Sequence, residues 1–197
     1  MNPMVKASRD GKRPGRFGEE YNMDEEGGYE SIVLGGGCFW CTEAFFRTVA
    51  GVVTVTPGYA GGFVPNPTYR EVCDGATGHA EVVEVSYDPR KLSLEDVLEV
   101  FFASHDPTSL NRQGADVGTQ YRSIILYSDD EQRKRIEAFI SRIAGEHDRP
   151  IVTEVKRLER FYPAEEYHHR YFERNSDQPY CRMVIAPKLA KLGKRAG

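Results

Sequence analysis

A chain of 197 residues with 40% apolar content suits one domain with a tail and has enough apolar side chains for a core. A net charge of −4 leaves no footprint for nucleic acid, and no apolar run approaches the ~20 residues of a membrane helix. Four cysteines and no secretory leader argue against a disulfide scaffold and for a reducing cytoplasm, where a Cys-x-x-Cys pair means redox chemistry or metal.

Residues 1–28 place Lys6, Arg9, Lys12, Arg13 and Arg16 before Glu19, Glu20, Asp24, Glu25 and Glu26. So few apolar residues interrupt these charges that the expectation is a flexible, solvated tail, and the acidic half argues against a transit peptide. A single domain is expected over 29–197. Residues 29–34 form a β-rich run ending in glycines, and 38–48 a helix closing near Gly51. Strands are expected at 52–59 and 79–87, with Pro65 and Pro67 marking a loop between them.

A helix follows at 93–104. Ser93 and Asp96 match a capping box, and Leu94, Val97, Leu98, Phe101 and Phe102 share one face. Residues 107–119 are polar and read as loop, and 120–127 as strand. Ser128 with Glu131 is expected to cap a helix whose inner face is Ile136, Phe139, Ile140 and Ile143, closing at Gly145. The remaining expectations are a strand at 151–158, a helix at 163–174 and a last strand at 180–185. The order β-α-β-β-α-β matches the split βαβ of a ferredoxin-like α+β core, a two-layer sandwich with helices packed on a mixed or antiparallel sheet.

Within this plan the stretch GGGCFWC, residues 35–41, sets two cysteines at a helix start. Free N–H groups and the positive dipole end would favour the Cys38 thiolate and lower its pKa. Cys41, one turn on, could form a disulfide with Cys38 or help ligate zinc, which needs four ligands when no second Cys-x-x-Cys exists. Glu81 is in phase with Val83, Val85 and Tyr87. If that face is the core face, its carboxyl is buried and can donate a proton near neutral pH; otherwise it is solvated. Tyr69 lies in the stretch NPTYREVC, Asp116, Gln120 and Tyr121 fall within six positions at the junction of loop and strand, and His168 and His169 point to different faces of one predicted helix, a poor metal pair.

These pieces together resemble one family. GCFWC at 37–41, GYAGG at 58–62, NPTYREVC at 66–73, TGHAEVVEV at 77–85 and GTQYRS at 118–123 are similar to peptide-methionine (S)-S-oxide reductases, and FYPAEEYHHRYF and PYCRMVIAPKL extend the likeness over 29–189. The resemblance implies reduction of methionine S-sulfoxide. Cys38 would be the nucleophile and Glu81 the proton donor. Tyr69, Asp116 and Tyr121 would hold the sulfoxide oxygen, and Phe39 and Trp40 would wall the S-methyl group. No metal or other cofactor is implied, and thioredoxin or another dithiol would supply electrons to a monomer acting on oxidised proteins and peptides. Many relatives carry glycine where this chain has Cys41 and recycle through cysteines near the C-terminus. Cys41 is therefore the expected resolving thiol, Cys181 the second choice, and Cys73 is expected to be packed and inert. A thioredoxin-like dithiol oxidoreductase would explain the two thiols but leave Glu81 and the tyrosines idle, and a zinc-stabilised binding module would require stoichiometric metal.

Overall fold

The computed structural model describes residues 28–193; the tail expected at 1–28 falls almost entirely outside the described residues. Strand β1 (Glu30–Gly36) leads into helix α1 (Phe39–Phe46), then come β2 (Val52–Ala60), α2 (Tyr69–Cys73), β3 (Ala80–Tyr87) and α3 (Leu94–Ser104). A two-stranded hairpin, β4 (Arg112–Gln113) and β5 (Asp116–Val117), precedes β6 (Ser123–Tyr127) and α4 (Asp130–Ile143). The chain closes with β7 (Glu154–Arg157), β8 (Phe161–Pro163), α5 (Tyr171–Arg174) and α6 (Ala186–Gly193).

Six strands form one sheet in the order β7-β6-β1-β3-β2-β8, and only β6 and β7 run parallel. Its centre, β6-β1-β3-β2, carries the antiparallel pairing of the split βαβ plan, with Leu34 opposite Val83 on one side and Ile125 on the other. Ile32, Leu34, Val83, Val85 and Ile125 pack beneath Phe39 and Phe46 of α1, Val97, Leu98 and Phe101 of α3, and Ile136 and Phe139 of α4. Val33, Ala80, Val82, Ile124 and Leu126 pack on the other face with Leu158 and Phe161. Burial on both faces is why the central strands read as continuous apolar runs.

The helix grammar holds where side chains cap. Ser93 Oγ accepts the Asp96 N–H at 3.2 Å, and Asp96 Oδ2 accepts the Ser93 N–H at 2.9 Å. At α4 the cap is Asp129 rather than Ser128: its Oδ1 accepts from Glu131 N and Gln132 N, both at 2.9 Å. The ionised oxygen is the better acceptor for N–H groups at the positive end of the helix. α2 was not expected, although Thr68 and Glu71 form a capping box around its first turn.

Four expectations are corrected. The strand at 120–127 begins only at Ser123, after a 3₁₀ turn over Thr119–Tyr121, and the strand at 151–158 shrinks to β7. The helix expected at 163–174 is broken into β8, a 3₁₀ turn at Glu166–His168 and the short α5. Its backbone is drawn elsewhere: Ala164 N–H bonds Pro57 O at 2.9 Å, and Arg170 is left-handed with φ 54°. The strand expected at 180–185 is a π-helical turn, Cys181–Ile185, running into α6. Cys181 and Ile185, four apart, bury one face against Ala44, a helical rather than a strand period. Among the described residues no helix is long and apolar enough to cross a membrane.

Candidate active site

The site forms where β1 hands over to α1. Gly37 makes the turn at φ +100°, and a Cβ there would lie 2.8 Å from the Gln113 side chain. Its left-handed backbone and this contact both require glycine. Cys38 then occupies the N-cap of α1, outside the helix at φ −59° and ψ 125°. Neighbouring β1 and β3 lie so close that a Cβ at Gly35 would sit 2.9 Å from the Glu81 carbonyl oxygen.

Glu81, at the start of β3, is 1% exposed, which decides between the buried and solvated readings in favour of the buried one. Its Oε2 accepts the Phe39 N–H at 3.0 Å. Burial raises the carboxyl to about pH 8, more than that hydrogen bond lowers it, so near neutrality it is an acid with its proton on.

The thiol beside it does not behave as expected. Burial pushes Cys38 well above the ordinary thiol value, aided by its hydrogen bond to Cys41 and the charge of Glu81. The first backbone N–H of α1 is already committed to Glu81, which takes away much of what the helix start could offer the sulfur. Cys41 is instead lowered to about 7, chiefly by the hydrogen bond from Cys38. The two thiols titrate as a pair, and its first negative charge rests on Cys41 with Cys38 bonded to it.

Tyr69 at the start of α2 and Tyr121 just before β6 are both half-buried, and both hydroxyls are held protonated, first by burial and next by the charge of Glu81. Asp116, on the hairpin, accepts the Tyr180 hydroxyl at 3.0 Å, and that hydroxyl lies 3.9 Å from Cys41 Sγ. Cys38, Glu81, Tyr69, Asp116, Tyr121 and Cys41 thus fall within electrostatic reach of one another. Gln120 is turned aside, its Nε2 donating to Cys73 O. Cys73 is only partly buried, and burial raises its thiol above the ordinary value, with the Tyr69 hydroxyl acting the other way. Cys181 is fully buried in a cluster that Cys41 and Trp40 pack against. All four cysteines are free thiols, and among the described residues no group of three or more His, Cys, Asp or Glu is placed to hold a metal.

Phe39 is 1% exposed and half-buried Trp40 extends the wall beside it. The Trp40 indole donates to His168 Nδ1 at 3.0 Å and stacks on Tyr171 at 3.7 Å with planes 6° apart. His168, a poor metal partner for His169 on the sequence reading, is fully buried, and burial lowers it to about 4. It is therefore neutral, with Nδ1 as acceptor and the proton on Nε2.

The match to known proteins is extensive. The family model described as peptide methionine sulfoxide reductase matches residues 30–196. The chain belongs to the peptide methionine sulfoxide reductase family. The peptide methionine sulfoxide reductase MsrA of Natronomonas pharaonis is 63% identical over 161 residues, 81% of this chain and 90% of that protein. Among solved structures, methionine sulfoxide reductase A of Corynebacterium diphtheriae is 38% identical with a TM-score of 0.74, covering 77% of each chain. Mxr1 of Saccharomyces cerevisiae in complex with Trx2 is 26% identical with a TM-score of 0.54, covering 76% of this chain and 91% of that one.

For a methionine sulfoxide reductase, several residues escaped the sequence reading. Tyr180, His168 and Tyr171 surround Trp40 and Cys41 from over 120 positions away in the chain. Glu165 accepts the Tyr59 hydroxyl at 2.7 Å and the Tyr69 N–H at 2.9 Å, tying β2 to the turn that presents Tyr69. No local spacing signals such pairs, since only the closing of the C-terminal segment over α1 creates them.

Proposed function

We propose that this reductase removes oxygen from methionine S-sulfoxide in oxidised proteins and peptides, and from free methionine sulfoxide, through Cys38. The reading rests above all on Glu81, a buried carboxyl that keeps its proton near neutral pH and lies beside a buried cysteine at a helix start. A sulfoxide sulfur becomes a good electrophile only when its oxygen is protonated or strongly hydrogen-bonded. Glu81 is the proton donor, with the Tyr69 and Tyr121 hydroxyls as further donors and Asp116 holding the polar frame. Phe39 and Trp40 receive the S-methyl group and exclude water.

Cys38 attacks the sulfur, and its proton has an acceptor at hand in Cys41. The oxygen then passes from the substrate sulfur to Cys38 as the bond between the two sulfurs breaks, so methionine leaves with its sulfur reduced by two electrons and Cys38 is left as a sulfenic acid. The Cys41 thiol then displaces water from the sulfenic acid and forms a disulfide. Cys38 already stands outside the α1 helix, so closing that disulfide disturbs only the first turn. A dithiol protein of the thioredoxin kind, in a reducing cytoplasm, resets the pair by thiol–disulfide exchange, a reading supported by the complex of the related Mxr1 with Trx2. Electrons enter and leave on sulfur, so the cycle needs no cofactor. Dithiol exchange on other proteins' disulfides, the alternative reading, gives the buried acid no role.

The test is stereochemical. A racemic methionine-sulfoxide peptide is incubated with the enzyme and dithiothreitol, and the epimers are resolved by chromatography. Loss of the S epimer alone is expected, and loss of both or neither would refute a shaped methyl pocket. Cys41→Ser is expected to release methionine in a single turnover and then stall with thioredoxin as reductant, while Cys181→Ser turns over. Sustained turnover of Cys41→Ser with thioredoxin would move the resolving role to Cys181.

A further inference from the structure

Helix α1 carries, one turn beyond Trp40, a carboxylate that the chemistry above does not use. Glu43 is 2% exposed, and its Oε1 accepts the N–H of Arg170 at 2.8 Å. The Tyr171 N–H also acts on this carboxylate, holding its value down. Burial raises the Glu43 carboxyl, while these N–H groups and Arg47 act in the opposite direction.

What Glu43 holds could not hold itself. α5 is four residues long, too short to persist through its own hydrogen bonds, and no side-chain cap comes from its N-cap residue. That residue is Arg170, a non-glycine residue at φ 54°, a backbone conformation that costs free energy unless its surroundings impose it. Glu43 supplies the missing cap from another helix, as a charged acceptor at an N-terminus. Glu173 adds a second link, bonding Arg47 of α1 at 2.8 Å and Arg170 at 2.7 Å.

The held segment presents one ring to the site. Tyr171 lies flat on Trp40, with centroids 3.7 Å apart. Trp40 and Glu43 are three residues apart and share a face of α1, so the ring and the carboxylate grip the same short stretch of chain. We propose that Glu43 is a positioning residue for the substrate pocket: by clamping the Arg170–Tyr171 backbone it sets the surface on which Trp40 rests, and so fixes the wall that receives the S-methyl group. This rests on the reading of Trp40 as that wall.

Trp40 is the only tryptophan in the chain, so its fluorescence reports on the wall independently of turnover. The experiment compares the full-length wild type with Glu43→Met, which keeps the volume and removes the acceptors, and Glu43→Gln, which keeps one acceptor oxygen and loses the charge. Acrylamide quenching of Trp40 is read beside KM and the single-turnover rate for an S-sulfoxide peptide. In Glu43→Met, KM is expected to rise about tenfold with the limiting rate within about twofold of wild type, and quenching to increase. Glu43→Gln is expected to recover part of this, with KM raised about threefold. If Glu43→Met fails to fold, the same readouts on Glu43→Gln decide. Wild-type quenching and KM in a folded variant overturn the proposal. Raised quenching with wild-type KM overturns instead the assignment of Trp40 as the methyl wall, and with it the clamp's part in substrate binding.

Discussion

Replacing Cys38 with serine is expected to abolish methionine formation, in single turnover as well as in steady state. A serine hydroxyl does not ionise near neutral pH, and its oxygen cannot accept the sulfoxide oxygen as sulfur does, so nothing in the variant takes up the two oxidising equivalents. The experiment discriminates because Cys38 has a rival. Cys41 is the more acidic thiol of the pair, at about 7, and by thiolate population alone it would be the better nucleophile. Placement decides against it. The Glu81 carboxylate is bonded at Phe39 N, next to Cys38, whereas Cys41 faces Tyr180 and the cluster around Cys181. The check is to mix one equivalent of Cys38→Ser with S-sulfoxide peptide, without reductant, and quantify methionine and any sulfenic acid trapped by dimedone. Methionine at a tenth of the wild-type yield or more would mean that Cys41 attacks. The swap is nearly isosteric and Cys38 is 8% exposed, so thermal stability is expected to stay close to wild type.

The contrast between these two thiols shows where the sequence could be read and where it could not. Period-two alternation placed Glu81 on one face with Val83, Val85 and Tyr87, which the structure shows, because a strand's geometry is local, but it left open whether the carboxyl was buried, and both faces of the strand turn out to be covered. The capping box at Ser93 was legible for the same reason: both partners lie within one turn. The Cys38 argument was also local, a thiol at a helix start, and it failed first because the fold buries that thiol, which no local pattern records, and because the first N–H of the helix goes to a carboxylate on another strand, 42 residues on. The C-terminal third was read worst. Residues 163–174 have helical composition, yet they are spent as ties: Glu165 to Tyr59 and Tyr69, His168 to Trp40, Arg170 to Glu43. Such a segment takes its shape from what it touches, and propensity says little about it. The motif likeness carried the site residues across that gap, since it records which side chains meet without saying how.

Glu81→Gln is expected to lower the rate of the first reduction at pH 7 by roughly 10²- to 10⁴-fold while making Cys38 more reactive toward alkylation above pH 8, where the wild-type carboxyl is ionised. The two effects have opposite signs and one cause. Glutamine cannot give up a proton, so the sulfoxide oxygen must take its charge unaided. Once ionised above about pH 8, the carboxylate is also one reason, after burial, that Cys38 is held above the ordinary thiol value, and removing it there makes the thiolate easier to form. A loosened site would also speed alkylation by exposing Cys38, so the gain is read at pH 9 against pH 6, where wild type and variant both carry an uncharged side chain and are expected to alkylate alike. The pH dependence follows the same logic. Glu81 keeps its proton up to about pH 8, so the rate of reduction is expected to fall as pH rises through 8, and that limb is expected to vanish in the glutamine variant. Stability obeys the same sign. The folded carboxyl lies above its ordinary value of 4.5, so its contribution is fully present below pH 4.5 and is lost as pH rises toward 8. Glu81→Gln is expected to gain stability relative to wild type across that window, measured by urea unfolding at pH 5 and pH 9. A variant that turns over at the wild-type rate at pH 7 would assign the proton to Tyr69 or Tyr121. Both hydroxyls stay protonated beside a charged Glu81, and they would then be acting as acids rather than as hydrogen-bond donors.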